Sequence, residues 1–402
     1  MSFSPMPSLC AFSSPFGDFT LKRYPEPLGR GQQQSLRAWD AADEFLLQAL
    51  HESLESDANV APKLLLLNDS FGALGLALQQ FSPYSVSDSF LAQEGCRRNL
   101  VDNKLAVDRV NLLDSFQLPL QTVDYILLKV PKTLALLEDQ LYRLRAVVGS
   151  GTKVIAAGMV KHIHTNTLKL FEKILGVTTT SKAKKKARLI FCQPQSEKWS
   201  AKKGSEEHVA KSPYPTEYML ENTTHLLTNH ANVFSRASLD IGSRLFIKHL
   251  PDGFTGKDIF DVGCGNGLLG LIAAERNPGA RLHFYDESYM ALASARENIE
   301  RAFNCTQLAE YRADNCLASA DDNSADLMLI NPPFHQGNVV GDFIAWQMFM
   351  DAKRVLRPGG QLWIVGNRHM GYHLKLERLF GHCSMKASDA KFVILNVTKS
   401  SL

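Results

Sequence analysis

The chain has 402 residues, 45% hydrophobic and 21% charged, which suits two or three globular domains with cores of their own and excludes wholesale disorder. No run of 18 apolar residues occurs, Asp69 interrupting the longest candidate at Leu64–Leu78, so no membrane-spanning helix is expected. The seven cysteines are odd in number and scattered without a Cys-x-x-Cys, which argues against a disulfide framework or a metal site and favours a reduced, cytoplasmic setting.

The first 20 residues lack a basic start before an apolar block and read as a loose polar arm, not a signal peptide. Beyond them, Leu64-Leu-Leu-Leu67 predicts a buried strand that runs into Asn68-Asp-Ser-Phe-Gly72 and a short helix over Ala73–Leu78. Ser85-Val-Ser-Asp88-Ser predicts the end of a second strand. Val123–Lys129 predicts a third, closing on Lys129-Val-Pro-Lys132. A later strand at Gly151–Ala157 and a helix ending at Leu170–Gly176 complete an alternating β/α pattern of the kind that builds a mainly parallel sheet. The net charge of +3 is unevenly placed. Residues 182–203 carry seven Lys and one Arg against one Glu, a local +7 on a remainder of −4. Such a segment attracts phosphate backbones or anionic surfaces, and a solvated linker fits it equally well. Residues 194–224 are polar and read as the connection between two halves, with room for a short strand or two.

The second half repeats the first. Asp258–Val262 runs into Gly263-Cys-Gly-Asn-Gly267 and a helix from Leu268. Phe284-Tyr-Asp286-Glu-Ser stands where Ser85–Ser89 stood. Ala325–Ile330 closes on Asn331-Pro-Pro-Phe334 where Val123–Leu128 closed on Lys129. Gly360–Gly366 and Leu376–Gly381 match the late strand and helix. Five matches in one order imply an internal duplication of a whole domain with a period near 200 residues, not a solenoid. The expected organisation is an N-terminal domain over 1–195, a linker over 196–224 and a C-terminal domain over 225–402.

The halves differ where chemistry would sit. A glycine-rich turn between strand and helix lets the backbone bend sharply and approach a ligand, which suits any nucleotide binder. Asp286, at the end of the next strand, could accept two hydroxyl hydrogens from a ribose; that spacing also permits a dinucleotide dehydrogenase. No Gly-Lys-Ser/Thr follows, which excludes a P-loop. Asn331-Pro-Pro-Phe334 decides the reading. It lies at the carboxyl end of a strand, where open α/β sheets bind ligands. Its two prolines remove backbone donors and leave carbonyls exposed. The Asn331 side-chain oxygen and the Pro332 carbonyl together suit the two hydrogens of a planar amine, and Phe334 offers a face on which a flipped base can stack. The first half has one glycine in the turn and Lys-Val-Pro-Lys in place of Asn-Pro-Pro-Phe. It therefore reads as a copy that has lost cofactor binding and gained positive charge.

This pairing of motifs resembles the S-adenosylmethionine-dependent amino-methyltransferases, and Asn331-Pro-Pro-Phe-His335 resembles the ribosomal RNA guanine-N2 methyltransferases among them, relatives of the small-subunit RsmC-type enzymes. Asn229–Arg236 and Leu239–Gly242 are similar to the segment leading into that family's cofactor site. Ala38–Glu44, Leu67–Leu74, Lys129–Leu137 and Lys184–Leu189 resemble one branch, the large-subunit methyltransferase G type. The similarity spans about Phe19 to Leu395; the N-terminal arm and the Lys-rich stretch near residue 200 fall outside it.

The resemblance implies an α/β fold of two tandem Rossmann-like class I methyltransferase domains, the N-terminal one degenerate. Gly263, Gly265 and Asn266 would wrap the methionine end and ribose of S-adenosylmethionine. Asp261 would orient that loop or hold the cofactor's amino group, Asp286 would bind the ribose hydroxyls, and Asp314 and Asn315 would meet the adenine. Phe234 and Ser235 would cover the cofactor. Asn331 and Pro332 would hold the target amine, and Phe334 would stack on guanine. Asp314 and Asn315 also suit plain helix caps; Cys264 and His335 suit packing. Lys129, Lys132, Lys184, Lys185, Lys186 and Arg188 would hold RNA by its phosphates. The expected reaction is methyl transfer to a guanosine N2 of 23S ribosomal RNA by a monomer that binds no metal and no membrane. The alternatives are 16S RNA, an adenine N6 or a protein glutamine. A non-enzymatic RNA-binding protein with a relict site fits less well, since Asp261, Asp286 and Asn331 are all intact.

Overall fold

The computed structural model describes residues 10–25, 36–56, 61–198, 211–333 and 339–401. The chain divides into two compact units, Met1–Pro213 and Tyr214–Leu402.

The first unit opens with a hairpin of β1 (Ala11–Ser14) and β2 (Gly17–Thr20), then runs α1 (Ala41–Glu55), β3 (Leu64–Leu67), α2 (Ala73–Ala77), β4 (Tyr84–Val86), α3 (Phe90–Asp102), β5 (Asn111–Leu113), β6 (Val123–Lys129), α4 (Leu134–Leu144), β7 (Val148–Met159), α5 (Thr165–Ile174), β8 (Gly176–Thr180) and β9 (Ala187–Pro194). The second follows the same order: hairpin β10 (Thr216–Met219) and β11 (Leu226–Asn229), α6 (Ile241–Lys248), β12 (Asp258–Val262), α7 (Leu268–Arg276), β13 (Arg281–Asp286), α8 (Tyr289–Ala302), β14 (Ala309–Ala313), β15 (Ala325–Ile330), α9 (Val339–Val355), β16 (Leu356–Asn367), α10 (Tyr372–Phe380), β17 (Ser384–Ser388) and β18 (Phe392–Thr398).

Each unit forms a seven-stranded sheet, ordered β5-β4-β3-β6-β7-β9-β8 in the first and β14-β13-β12-β15-β16-β18-β17 in the second. Six strands in each sheet run in one direction, and β9 and β18 run antiparallel to both of their neighbours. The expected duplication is thus a duplication of topology. A parallel sheet is covered on both faces, so its central strands are largely apolar and side chains alternate between two core layers. Leu64 and Leu66 enter one layer and Leu65 and Leu67 the other; Ile259 and Phe260 divide likewise in the second unit. Side-chain caps start corresponding helices in the two units: Asp40 on α1 and Ser89 on α3 in the first, Asp240 on α6 and Ser288 on α8 in the second.

One expectation is corrected. The N-terminal arm is not loose over its described part, because β1 and β2 pair along their length and Phe12 and Leu21 are buried. Asn99 clamps this hairpin to the first βα loop, donating to the carbonyls of Lys22 and Phe71 and accepting from Lys22 N–H. Asn298 does the same in the second unit, with Thr228 and Asn266 as partners. The hairpin is therefore part of the repeated unit. Accordingly β10, which falls in the sequence-derived linker, pairs with β11 inside the second unit. Among the described residues, no helix is long and apolar enough to cross a membrane.

Candidate active site

Sheet order reverses between β12 and β15, and the crevice at the carboxyl ends of strands flanking such a point is where open α/β sheets bind ligands. Val262 and Ile330 are paired across this crevice, so Gly263 and Asn331 leave the sheet side by side. Gly263, Gly265 and Gly267 all have left-handed backbones, with φ of 69°, 54° and 76°. A side chain at Gly267 would also strike α8, placing a Cβ 2.8 Å from that of Ala295. Glycine is needed there for both reasons.

Two carboxylates frame the loop. Asp286 accepts from the Gly265 N–H (2.9 Å) and from the Ser288 N–H (2.9 Å), which ties the end of β13 to the turn. Asp261 accepts from the Gly270 N–H at 2.9 Å, while its Oδ1 is buried and has no partner among the described residues. Burial, reinforced by Asp286 and opposed by the Gly270 hydrogen bond, pushes the Asp261 pKa up to about 8. An orphaned buried carboxylate oxygen beside a glycine turn fits a cationic group such as the amino group of S-adenosylmethionine.

On the other side of the crevice, Asn331 donates through Nδ2 to Ser243 Oγ at 3.0 Å, and its Oδ1 is buried without a partner among the described residues. Ser243 sits on the first turn of α6, its N–H held by the capping Asp240 at 3.0 Å. Pro332 is buried; Phe334 and His335 lie outside the described residues.

The remaining residues expected at the cofactor are placed as follows. Asn266 turns to the hairpin, donating to Asn229 Oδ1 (2.9 Å), so its side chain braces the loop. Asp314 accepts from the N–H groups of Asn315 and Ser319 and from the Ser319 hydroxyl, which is a capping arrangement after β14; both Asp314 and Asn315 are buried. Phe234 is 72% exposed, and Ser235 has φ of 56° and donates to the Ser238 carbonyl. Sequence reasoning missed Ser243, Asn298 and Met348, whose Cε would lie 3.2 Å from a Cβ at Gly263. The only local signal for Ser243 was the Asp240 cap three residues before it.

The basic residues separate. Lys132, Lys184, Lys185 and Lys186 are exposed. Lys184 and Ala187 close a two-residue hairpin turn, with Lys185 and Lys186 both left-handed at φ of 49° and 65°. Lys186 O accepts from Val160 N–H. The pKa of neighbouring His162 is lowered by burial and then by Lys161, Lys132 and His164. Lys185 pairs with Glu44 at 2.8 Å. Arg188 is half-buried on β9. Lys129 corrects the expectation of a phosphate contact. Its side chain is 13% exposed, and Nζ lies 2.7 Å from Asp43 and 3.7 Å from Asp40. Burial pulls its pKa down, but Asp43 and Asp40 outweigh burial and raise it, so it is a charged internal partner.

A glycine turn, an acidic residue at the end of the second strand and an Asn-Pro-Pro edge on a 3-2-1-4-5-7-6 sheet define an S-adenosylmethionine-dependent methyltransferase. Residues 10–196 match the RLMG N-terminal domain model and residues 224–396 the Methyltransferase small domain model. The chain is 48% identical to the ribosomal RNA large subunit methyltransferase G of Erwinia tasmaniensis, over 94% of this chain and 96% of that one. It is 47% identical to the protein of that name in Aeromonas salmonicida, over 94% and 97%. The chain belongs to the ribosomal RNA large subunit methyltransferase G family. A solved structure, the 16S rRNA N2 methyltransferase RsmC of T. thermophilus in complex with AdoMet and guanosine, shares the fold over 97% of both chains, with a TM-score of 0.70 and 19% identity.

Proposed function

We propose that the protein methylates the exocyclic N2 amine of a guanosine in 23S ribosomal RNA, in the cytoplasm. The observation that carries this reading is the Oδ1 of Asn331, buried at the rim of the cofactor crevice without a partner among the described residues. A buried acceptor left without a donor costs roughly 1–3 kcal/mol, which a substrate amine would recover. The curated relatives' name supplies the large-subunit substrate.

S-adenosylmethionine, when bound, supplies an electrophilic sulfonium methyl. The Gly263–Gly267 turn and Asp286 would hold it by ribose and methionine ends, with Asp261 Oδ1 facing its amino group. Guanine N2 is a poor nucleophile because its lone pair is spread into the ring. Asn331 Oδ1 and the Pro332 carbonyl, accepting its two hydrogens, would draw them out of plane and localise the lone pair. Positioning of this kind can supply about 7–11 kcal/mol of barrier reduction. The proton leaves after transfer, when the nitrogen is cationic, so no side chain need act as a general base. The first unit, through Lys132 and Lys184–Lys186, would hold the RNA while the base is flipped out, which costs a few kcal/mol.

The test is transfer of labelled methyl to purified ribosomal RNAs lacking the modification, with Asn331→Ala as control and nucleoside analysis of the product. Label as N2-methylguanosine in 23S RNA, lost in the variant, is expected. Label confined to 16S RNA, adenosine or protein overturns the substrate assignment.

A further inference from the structure

We propose that Ser243 is a positioning residue that holds the Asn331 amide with its oxygen, not its amino group, toward the target amine. The inference rests on the reading of Asn331 given above. An asparagine amide has two faces of similar shape and opposite hydrogen-bonding character. A primary amine brings donors only to this rim, so an amide turned the wrong way sets N–H against N–H. In the structure one Nδ2 hydrogen is committed to Ser243 Oγ at 3.0 Å, which leaves Oδ1 as the buried atom without a partner among the described residues. Ser243 holds its Oγ in one place; a hydroxyl can accept or donate, and the accepting sense is the one its counterpart in the first unit shows. Ser243 is 6% exposed, on the first turn of α6, with its own N–H tied to the Asp240 carboxylate.

The duplicated first unit supplies an independent observation. Leu67 pairs with Leu128 in β3 and β6 as Val262 pairs with Ile330 in β12 and β15, so Lys129 is the counterpart of Asn331. Asp40 caps α1 as Asp240 caps α6, so Asp43, three residues on, is the counterpart of Ser243. Asp43 accepts from Lys129 Nζ at 2.7 Å. Lysine can only donate and aspartate can only accept when ionised, so the direction of this bond is fixed. In both units, then, the third residue of the helix accepts from the side chain at the strand end. In the second unit that polarity turns Asn331 Oδ1 toward the reactant.

The experiment is steady-state methyl transfer by the full chain, using S-adenosylmethionine and ribosomal RNA lacking the modification. Ser243→Ala is expected to lower kcat about tenfold, with KM for either substrate changed by no more than about twofold. Ser243→Thr keeps the hydroxyl and is expected to retain most of kcat. Ser243→Cys is nearly isosteric and a poor acceptor, so it folds and loses kcat as alanine does. The double variant Ser243→Ala/Asn331→Ala is expected to be no slower than Asn331→Ala, because Ser243 acts only through Asn331. Wild-type kcat in the cysteine variant overturns the inference. So do losses that multiply in the double variant, or a raised KM for S-adenosylmethionine with unchanged kcat, which is what a merely structural role would produce. Full activity in Asn331→Ala would instead overturn the reading of Asn331 itself.

Discussion

At the carboxyl edge of the first sheet Lys129 meets Asp43; at the same place in the second, Asn331 meets Ser243. The neighbouring positions diverge in the same sense. Asn68, at φ of 63°, stands where Gly263 has φ of 69°. Its amide donates to the Lys129 carbonyl and exchanges two hydrogen bonds with Gln140. Gln140 lies eight residues before β7 begins, as Met348 lies eight before β16. Ser87, which accepts from the Ser89 N–H as Asp286 does from Ser288, lacks the second carboxylate oxygen that Asp286 gives to Gly265. Side chains thus fill in the first unit what backbone and cofactor would share in the second. The features kept in both are those that hold the fold: the capping aspartates, the left-handed Gly72 and Gly267, and the Asn99 and Asn298 clamps. Packing and capping tolerate the loss of a ligand site, provided that the vacated polar groups find new partners.

The largest effect that would break this comparison is expected at the buried ion pair. Lys129→Met should destabilise the first unit by about 3–5 kcal/mol, because it leaves Asp43 charged and buried. Adding Asp43→Leu should recover much of the loss in a thermal or denaturant melt, since both charges are then gone. A small effect of the single variant would mean that the pair is not a structural plug. In the second unit, Asn331→Ala should leave the melt nearly unchanged and lower methyl transfer by about 10²–10³-fold, with S-adenosylmethionine binding retained; calorimetric titration separates the two.

A pH series sharpens the comparison. Asp261 and Asp69 each accept from the third residue past the helix-capping glycine, at Gly270 and Gly75, and each has a buried Oδ1 without a partner among the described residues. Their pKa values are raised from 3.8 to about 8 and about 6. A carboxyl raised in the folded state favours folding most when protonated, so stability should fall as pH rises from about 4, through about 6 for the first unit and about 8 for the second. Asp261→Asn should flatten the upper part of that dependence in ligand-free melts between pH 6 and 8, and should weaken cofactor binding. A wild-type slope in this variant would assign the titration elsewhere.

The smallest effect concerns the Lys185–Lys186 turn. Two-residue turns with both residues left-handed favour Asn-Gly, and lysines there carry backbone strain. Lys185→Asn/Lys186→Gly should therefore raise the melting temperature by a few degrees. It should also weaken RNA binding and reduce its salt dependence by about two phosphate contacts. Greater stability with unchanged RNA affinity would remove this turn from the RNA surface.

Much of this molecule was legible along the chain. The repeat of strand, turn and helix showed in apolar runs and glycines, because burial on both faces of a parallel sheet demands unbroken apolar strands and tight turns demand particular residues. Asp261, Asp286 and Asn331 could be singled out because each lies at or beside the carboxyl end of a strand. The hairpin at Ala11–Thr20 was not legible, since two four-residue strands carry too little periodicity; its anchor, Asn99, lies 77 residues from its partner Lys22. Lys129 read as a surface cation because charge alone does not tell which way a side chain turns. Only the fold, by setting Asp43 86 residues away within 2.7 Å of its ammonium, drew it inward. Likewise Ser243 is 88 residues from Asn331 in the chain and 3.0 Å from it in space. Local sequence determined the strands, turns and caps, whose energetics depend on near neighbours. Tertiary structure decided which polar groups meet at the rim, because a buried hydrogen bond depends on where two distant segments are brought together.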